Sequence, residues 1–225
     1  MSSLWLRHPQ EPVLWEHEAV AQNLLRGEGF TTRYLGVEYR ALLHPFYPFL
    51  CAGIYRFFGI SHTAILFIQT IAFGCIAWIV YRIGRATFGE EAAVGATLLV
   101  CLHPGLFVFT TRTLHPLILD AFWFSFFLLS VLRMEEEMTL GKAMLGGLIL
   151  GCALLSRATI LAFAAVASLW LFRQWEFPFR KKCLFLTTLY LTALLVLSPW
   201  LMRNFIVFGR LTPITSTFGL QLWSG

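Results

Sequence analysis

The feature that most constrains the fold is a series of six apolar runs with short polar interruptions. The runs lie at about 62–81, 92–111, 115–132, 142–156, 158–172 and 183–202. A helix of about 20 apolar residues crosses the hydrocarbon core of a bilayer, so four of the runs are comfortable spans. The region 142–172 would be roughly 46 Å long as one straight helix at about 1.5 Å per residue, whereas the core is about 30 Å thick. The length of the region 142–172 therefore predicts two short helices joined near Ser156 and Arg157.

Composition agrees with a membrane protein and excludes a soluble domain. The chain is 58% hydrophobic and only 13% charged, and its mean hydropathy is +0.71, whereas soluble domains are about 25% charged. The net charge of +5 does not indicate a nucleic-acid partner, because the basic residues cluster at the ends of apolar runs rather than along one polar face. The five cysteines lack the close pairs of a zinc or redox site, and we interpret them as small hydrophobic residues.

The distribution of Lys and Arg predicts the orientation of the spans. Three loops on one side, 82–91, 133–142 and 173–182, hold Arg82, Arg85, Arg133, Lys142, Arg173, Arg180, Lys181 and Lys182. The opposite short loops hold Arg112 and Arg157. Basic loops are cytoplasmic by the positive-inside rule, so both ends of the chain are predicted to be non-cytoplasmic.

The segment before the first span predicts helices that lie on the outer surface. Residues 19–25 form an amphipathic stretch that Gly27 and Gly29 end, and the run 45–59 is rich in aromatic residues but too short and interrupted to span. The predicted fold is therefore all-α, a polytopic bundle of about six spans with outer juxtamembrane helices. Its parts are an outer loop with interfacial helices (1–60), the transmembrane bundle (61–204) and an outer polar tail (205–225).

An ordered series of short matches across nearly the whole chain resembles a known group of enzymes. The series comprises Trp15-Glu16, Ala21, Asn23-Leu24-Leu25, Gly27, Gly29-Phe30, His44-Pro45-Phe46-Tyr47-Pro48, Tyr55, Phe58-Gly59, Gln69, Pro199-Trp200, Arg203-Asn204, Phe208-Gly209, Pro213, Gly219 and Leu222-Trp223. It resembles the bacterial GT-C glycosyltransferases, more narrowly the protein O-mannosyltransferase and 4-amino-4-deoxy-L-arabinose transferase group. Members begin with a span that this chain lacks and continue beyond the position of Gly225. The resemblance thus implies the N-terminal half of such an enzyme.

The resemblance implies a multi-pass enzyme of the bacterial inner membrane. Such an enzyme moves a sugar from a polyprenyl-phosphate donor to an acceptor at the outer face. The reaction needs a carboxylate to orient or deprotonate the acceptor, a cation to stabilise the departing phosphate, and an apolar groove for the isoprenoid tail. The sequence leaves the sugar and the acceptor open.

For the carboxylate, Glu16 is the first candidate and Glu18 the second. A spacing of two on a helix separates two side chains by about 200°, which favours one working acid over a two-carboxylate metal site. No cofactor is predicted with certainty, and a divalent metal ion stays open as an alternative. Many relatives carry an acidic pair where this chain has Val13 and Leu14, whereas in another subgroup the acid matches Glu16. The competing interpretation is that both acids are solvated carboxylates on an interfacial helix.

For the donor phosphate, the candidates are Arg203 with Asn204 at the outer end of the last span, then Arg157, then Arg112. A guanidinium binds phosphate oxygens in a bidentate manner. The alternative is that these arginines reach to lipid headgroups from helix ends.

Four further residues are candidates for supporting roles. Asp120 lies about one turn inside a span, where an acid points to function by default, although it could instead pair with Arg112 or His115. His115 stands where relatives often carry Glu. His44 and Tyr47 could join the outer site or form an interfacial turn.

Two patterns inside the runs indicate structure rather than chemistry. His103-Pro104 predicts a kink, and Gly147 with Gly151 at GxxxG spacing predicts close helix packing.

A hypothesis from another class is a non-catalytic membrane module that binds or moves a lipid carrier, or an inactive half-size relative of the enzymes. Replacing Glu16 by Gln separates the two hypotheses, because only the enzyme depends on that carboxylate for sugar transfer.

Overall fold

The computed structural model of the chain describes residues 16–34, 37–210 and 212–215. Trp15, Val13, Leu14, Gly219 and Leu222-Trp223 lie outside the described residues, as does most of the predicted outer tail.

The described residues form helices and one short hairpin. In chain order the elements are α1 (Glu16–Leu25), β1 (Thr32–Tyr34), β2 (Val37–Tyr39), α2 (Phe46–Phe58), α3 (His62–Phe88), α4 (Glu90–Cys101), α5 (Pro104–Thr111), α6 (Leu117–Glu136), α7 (Leu140–Ser156), α8 (Ile160–Gln174) and α9 (Phe179–Phe208). The strands pair antiparallel, with Arg33 opposite Glu38. The sequence did not predict this hairpin.

The structure confirms an all-α, polytopic membrane bundle. By length and composition, α3, α6 and α9 are able to cross a bilayer, and α4 with α5 adds a fourth span if the bent pair is counted as one. The helices α7 and α8 have 17 and 15 residues and are shorter than a full span. They separate after Ser156, where the length of the apolar region predicted a break.

The bend between α4 and α5 has the cause that the sequence indicated. The two helices meet at 54°, and Pro104 begins α5 because its ring fits the first helical position but not a helix interior. The His103 ring caps the new helix, since its Nδ1 accepts the backbone N–H of Leu106 at 3.2 Å.

The elements from α1 to α2 form a cap on one end of the bundle. Helix α1 buries Val20 and Ala21, and it ends before Gly27, whose φ of 78° few other residues adopt. Phe30 and Val20 of the cap share a small core with Trp200 of α9. The two helices that the sequence predicted before the first span are thus present, and they pack on the bundle.

Close packing of α7 on α9 depends on two glycines. A Cβ at Gly147 would overlap the carbonyl oxygen of Leu189, and one at Gly151 would lie 2.6 Å from the Cβ of Val196. These contacts confirm the packing role predicted from the GxxxG spacing.

Replacing Gly147 by Ala is expected to lower the free energy of unfolding by about 1–3 kcal/mol, because the added methyl group meets backbone that cannot move aside. Thermal unfolding in detergent measures the effect. Gly74→Ala is the matched control, since a Cβ there meets nothing within 4 Å and alanine favours a helix. Equal melting temperatures for the two variants would contradict the packing role.

Candidate functional site

Polar side chains from four parts of the chain meet between the cap and the bundle. They come from α1, the segment before α2, the start of α6 and the end of α7. We call this set the polar cluster, and its members are His17, His44, His115, Asp120, Ser156 and Arg157.

Asp120 is the anchor of the polar cluster. It lies in the first turn of α6 and is only 7% exposed. The Ser156 hydroxyl donates to one carboxylate oxygen at 2.5 Å, and Nη1 of Arg157 donates to the other at 3.0 Å. The ion-pair partner of Asp120 is therefore Arg157 rather than Arg112 or His115, the alternatives that the sequence offered. A buried carboxylate needs such partners, because burial without them carries a large penalty.

Arg157 is held by Asp120 but not enclosed. Its side chain is 53% exposed, and within residues 16–34, 37–210 and 212–215 Asp120 is its one ion-pair partner. A guanidinium has five N–H donors, so most of those of Arg157 have no acceptor among the described residues. The pair with Asp120 fixes the direction of the planar group.

Two of the histidines accept backbone hydrogen bonds that define their tautomers. His44 Nε2 accepts the N–H of Ala158 at 3.3 Å, and His115 Nδ1 accepts the N–H of Leu117 at 3.1 Å. The neutral rings therefore carry their protons on the other nitrogens, Nδ1 of His44 and Nε2 of His115.

Burial keeps the three histidines of the polar cluster neutral. It lowers the pKa of His17 to about 4, with His115 and His44 adding to the effect. Burial also lowers the pKa of His44 and of His115, although Asp120 opposes it at both. The His17 ring packs edge-on against Tyr47 with centroids 5.2 Å apart, and its Nδ1 is buried with no hydrogen-bond partner among the described residues. At neutral pH the polar cluster thus offers N–H donors without adding positive charge.

The lowered pKa of His17 predicts that acid destabilises the protein. An unfolded chain binds a proton at His17 below its usual pKa of 6.5, whereas the folded chain does so only near 4. Stability is therefore full above pH 6.5 and falls as the pH drops from 6.5 towards 4, by roughly 3 kcal/mol in total. Between pH 7.5 and 5.5 the expected loss is about 1 kcal/mol.

Melting temperatures of the wild type and of His17→Gln at pH 7.5 and 5.5 measure this loss. The variant has no ring to protonate, so its melting temperature should depend less steeply on pH. An unchanged pH dependence would show that His17 is not the group responsible.

The two acids of α1 lie on different sides of the helix, as their spacing predicted. Glu16 is exposed at the first position of α1, whereas Glu18 is 4% exposed. One oxygen of Glu18 accepts the Tyr55 hydroxyl at 3.0 Å and lies 2.6 Å from Nε2 of His62. Glu18 therefore ties α1 to α2 and α3, and Glu16 is the carboxylate that faces solvent.

The described part of the chain contains no group of three or more His, Cys, Asp or Glu side chains arranged to hold a metal ion.

Tyr47 belongs to the framework beneath the polar cluster. Its hydroxyl donates to Oε1 of Gln69 at 2.7 Å, and Nε2 of Gln69 donates to the carbonyls of Phe109 and Thr113. These bonds fasten α2 to α3 and to the end of α5. They also hold the ring against which His17 packs.

Arg203 fastens the cap to the end of α9. Its guanidinium donates to the carbonyls of Arg40 at 2.6 Å and Phe30 at 3.2 Å, and it lies over the rings of Phe30 and Trp200. Asn204 accepts a further bond from Arg203 and donates to the carbonyl of Thr212. The structure thus gives these two residues protein partners other than Asp120 and Arg157. Arg112, at the end of α5, is exposed.

An apolar groove has wall residues that adjoin two members of the polar cluster in the chain. It has a volume of about 540 Å³ and lies between α2, α7 and α9, with walls formed by Pro45, Phe46, Phe49, Leu50, Leu155, Val196, Pro199, Trp200 and Arg203. Pro45 follows His44 directly, and Leu155 precedes the Ser156–Arg157 pair. We call this cavity the cap groove. A second apolar groove of about 580 Å³ lies on another face of α9, against α7 and α8, and includes Leu161 and Leu194.

Sequence reasoning identified Asp120, Arg157, His44 and His115 but missed two members of the polar cluster. Ser156 and His17 each stand next to a candidate residue, and that position was the available signal. Their roles depend on the meeting of α1, α6 and α7, which a local pattern does not reveal.

A family model described as dolichyl-phosphate-mannose-protein mannosyltransferase matches residues 44–202, more than half of the chain. The matched range holds every member of the polar cluster except His17. Glu16 and Glu18 precede it, and Arg203 with Asn204 follows it directly. No curated protein and no solved structure matches the chain.

Proposed function

The chain belongs to the dolichyl-phosphate-mannose-protein mannosyltransferase family, and on this premise we propose that it transfers a sugar from a polyprenyl-phosphate donor to an acceptor at the outer face of the plasma membrane. Membership makes it a membrane glycosyltransferase of the GT-C type. The observation that carries the finer proposal is the Asp120–Arg157 pair, in which the carboxylate is buried and the guanidinium is exposed, together with an apolar groove whose wall includes Leu155 of the same helix end.

Arg157 is the proposed binding site for the donor phosphate. Asp120, which the Ser156 hydroxyl holds in turn, fixes the guanidinium in place. Little reorganisation is therefore needed when charge develops on the leaving phosphate. The free N–H groups of His44 and His115 supply neutral donors to the same anion. Arg112 remains a proposed second cation.

The cap groove is the proposed site of the isoprenoid tail. Its walls are almost entirely apolar and aromatic, as an isoprenoid chain requires. Arg203 and Asn204 act here as positioning residues, since their bonds hold the cap above the groove.

Glu16 is the proposed base. An acceptor oxygen attacks the anomeric carbon, the bond between that carbon and the phosphate oxygen breaks, and polyprenyl phosphate leaves with the electron pair. Glu16 orients the acceptor hydroxyl and takes its proton. The start of α1 is a favourable place for a carboxylate, because the helix dipole stabilises negative charge there.

One observation favours a second candidate, a module that binds the lipid carrier without catalysis. Glu18 and Asp120 both have their carboxylates occupied by protein partners, so the proposed reaction depends on the single acid Glu16. Such a module would bind polyprenyl phosphate as tightly as an enzyme does but leave its sugar in place.

A pair of groove-filling variants tests where the tail binds. Leu155→Trp fills the cap groove and is expected to weaken binding of a photoreactive polyprenyl phosphate about tenfold or more, because the tail loses most of its apolar contact. Leu161→Trp fills the second groove and should leave binding unchanged. Crosslinks to α2 and α9 peptides that face the cap groove would support the assignment. Loss of binding in Leu161→Trp alone would show that the tail binds in the second groove instead.

A further inference from the structure

Two adjoining cavities lie at the end of the bundle opposite to the cap. They have volumes of about 240 and 220 Å³, and both include Leu129 and Arg133 in their walls. The walls come from the end of α3, the end of α6 and the start of α7. The Asp120–Arg157 pair lies at the other end of α6 and α7, so these cavities are separate from the polar cluster.

Three basic residues surround the shared wall. Arg82 and Arg133 are exposed, and Lys142 is half-buried. Lys142 donates to Glu137 at 3.0 Å, and the guanidinium of Arg82 lies 5.7 Å from the centre of the Trp78 ring. Glu136 is the one acid in the walls. In the part of the chain that the structure describes, Arg133 forms no ion pair, so the cavities carry a positive excess with Arg133 at its centre.

Apart from Ser130, the wall residues deeper in the bundle are apolar. Phe126 and Ile149 each lie seven residues from a basic residue of the same helix, Arg133 on α6 and Lys142 on α7. Seven helical residues correspond to roughly 10 Å along the axis. Trp78 and Leu145 line the same space. The site thus has cations at one level and an apolar slot about two turns deeper.

We propose that these cavities bind an anionic phospholipid. Its phosphate contacts Arg133 and Arg82, and one acyl chain enters the slot between α6 and α7 beside Trp78. The apolar slot favours a ligand with an acyl chain, and the positive charge of the site favours an anionic headgroup. A zwitterionic lipid gains less electrostatic binding energy from the cations. The positive-inside prediction places the site in the cytoplasmic leaflet. The proposal is independent of sugar transfer.

Native mass spectrometry of the purified full chain tests it, with phosphatidylglycerol and phosphatidylcholine of identical acyl chains as probes. The wild type should retain phosphatidylglycerol preferentially. Arg133→Gln should weaken that binding roughly fivefold, and Arg82→Gln by a similar factor. Arg180→Gln is the matched control, because it removes a charge from the start of α9, outside the walls of both cavities, and should leave binding unchanged.

Three outcomes would overturn the proposal. The first is an equal loss in Arg180→Gln, which would mean that only net charge matters. The second is equal retention of the two lipids by the wild type, and the third is equal binding of glycerol phosphate, which has no acyl chain. If Arg133→Gln lowers the melting temperature without lipid, Arg133→Lys replaces it in the test. Lysine retains the charge, so this variant should retain the preference for phosphatidylglycerol.

Discussion

Arg157→Gln is expected to reduce sugar transfer about a hundredfold to a thousandfold, the usual cost of removing one group that stabilises developing charge. Glutamine keeps a polar side chain beside Asp120 but supplies no cation for the leaving phosphate. The transfer rate of Arg157→Lys should lie between those of the wild type and Arg157→Gln, since an ammonium carries the charge without the planar guanidinium fork. The measurement is the rate of label transfer from a polyprenyl-phosphate sugar in membranes that contain equal amounts of each variant.

Arg56→Gln is the matched control for this prediction. Arg56 is exposed in the last turn of α2, so its replacement removes a charge from the cap without touching the polar cluster. Because Asp120 loses a partner in Arg157→Gln, melting temperatures must be compared as well. A folded Arg157→Gln that transfers sugar at the wild-type rate would contradict the proposed phosphate site.

Glu16→Gln is expected to reduce transfer by about a hundredfold to ten-thousandfold, the range that general base catalysis supplies. The variant should fold and bind donor normally, because Glu16 is exposed and donor binding is assigned to other residues. Glu28→Gln provides the comparison, since it neutralises another exposed acid of the cap. Equal activity of both variants would remove Glu16 from the mechanism.

The elements of the fold could be predicted because each apolar run carries its own signal. Length alone indicated the break after Ser156, and His103-Pro104 indicated the bend between α4 and α5. The number of full spans could not be predicted from the apolar runs. The helices α7 and α8 are apolar but short, and their apolar faces pack against other helices. The hairpin of β1 and β2 has three-residue strands, too short for a periodic pattern.

Sequence reasoning named four members of the polar cluster, Asp120, Arg157, His44 and His115, but not His17 or Ser156, and it did not predict how the members pair. Arg203 lies near the end of α9, and its main acceptors are carbonyls of Phe30 and Arg40, 173 and 163 residues away. For Asp120 the sequence offered Arg112 or His115 as alternative partners, and the structure pairs it with Arg157, 37 residues along the chain. Such contacts are decided by how helices pack, and no local spacing encodes them.

Turnover of a bound donor by the purified full chain tests the central claim most directly. The donor is a polyprenyl-phosphate sugar labelled in the sugar, and both its binding and its loss of label are followed. We predict that the wild type and Glu16→Gln bind the donor equally well and that only the wild type moves the label to an acceptor. If both proteins bind the donor and neither moves the label, the chain is a carrier-binding module and the proposed chemistry is wrong.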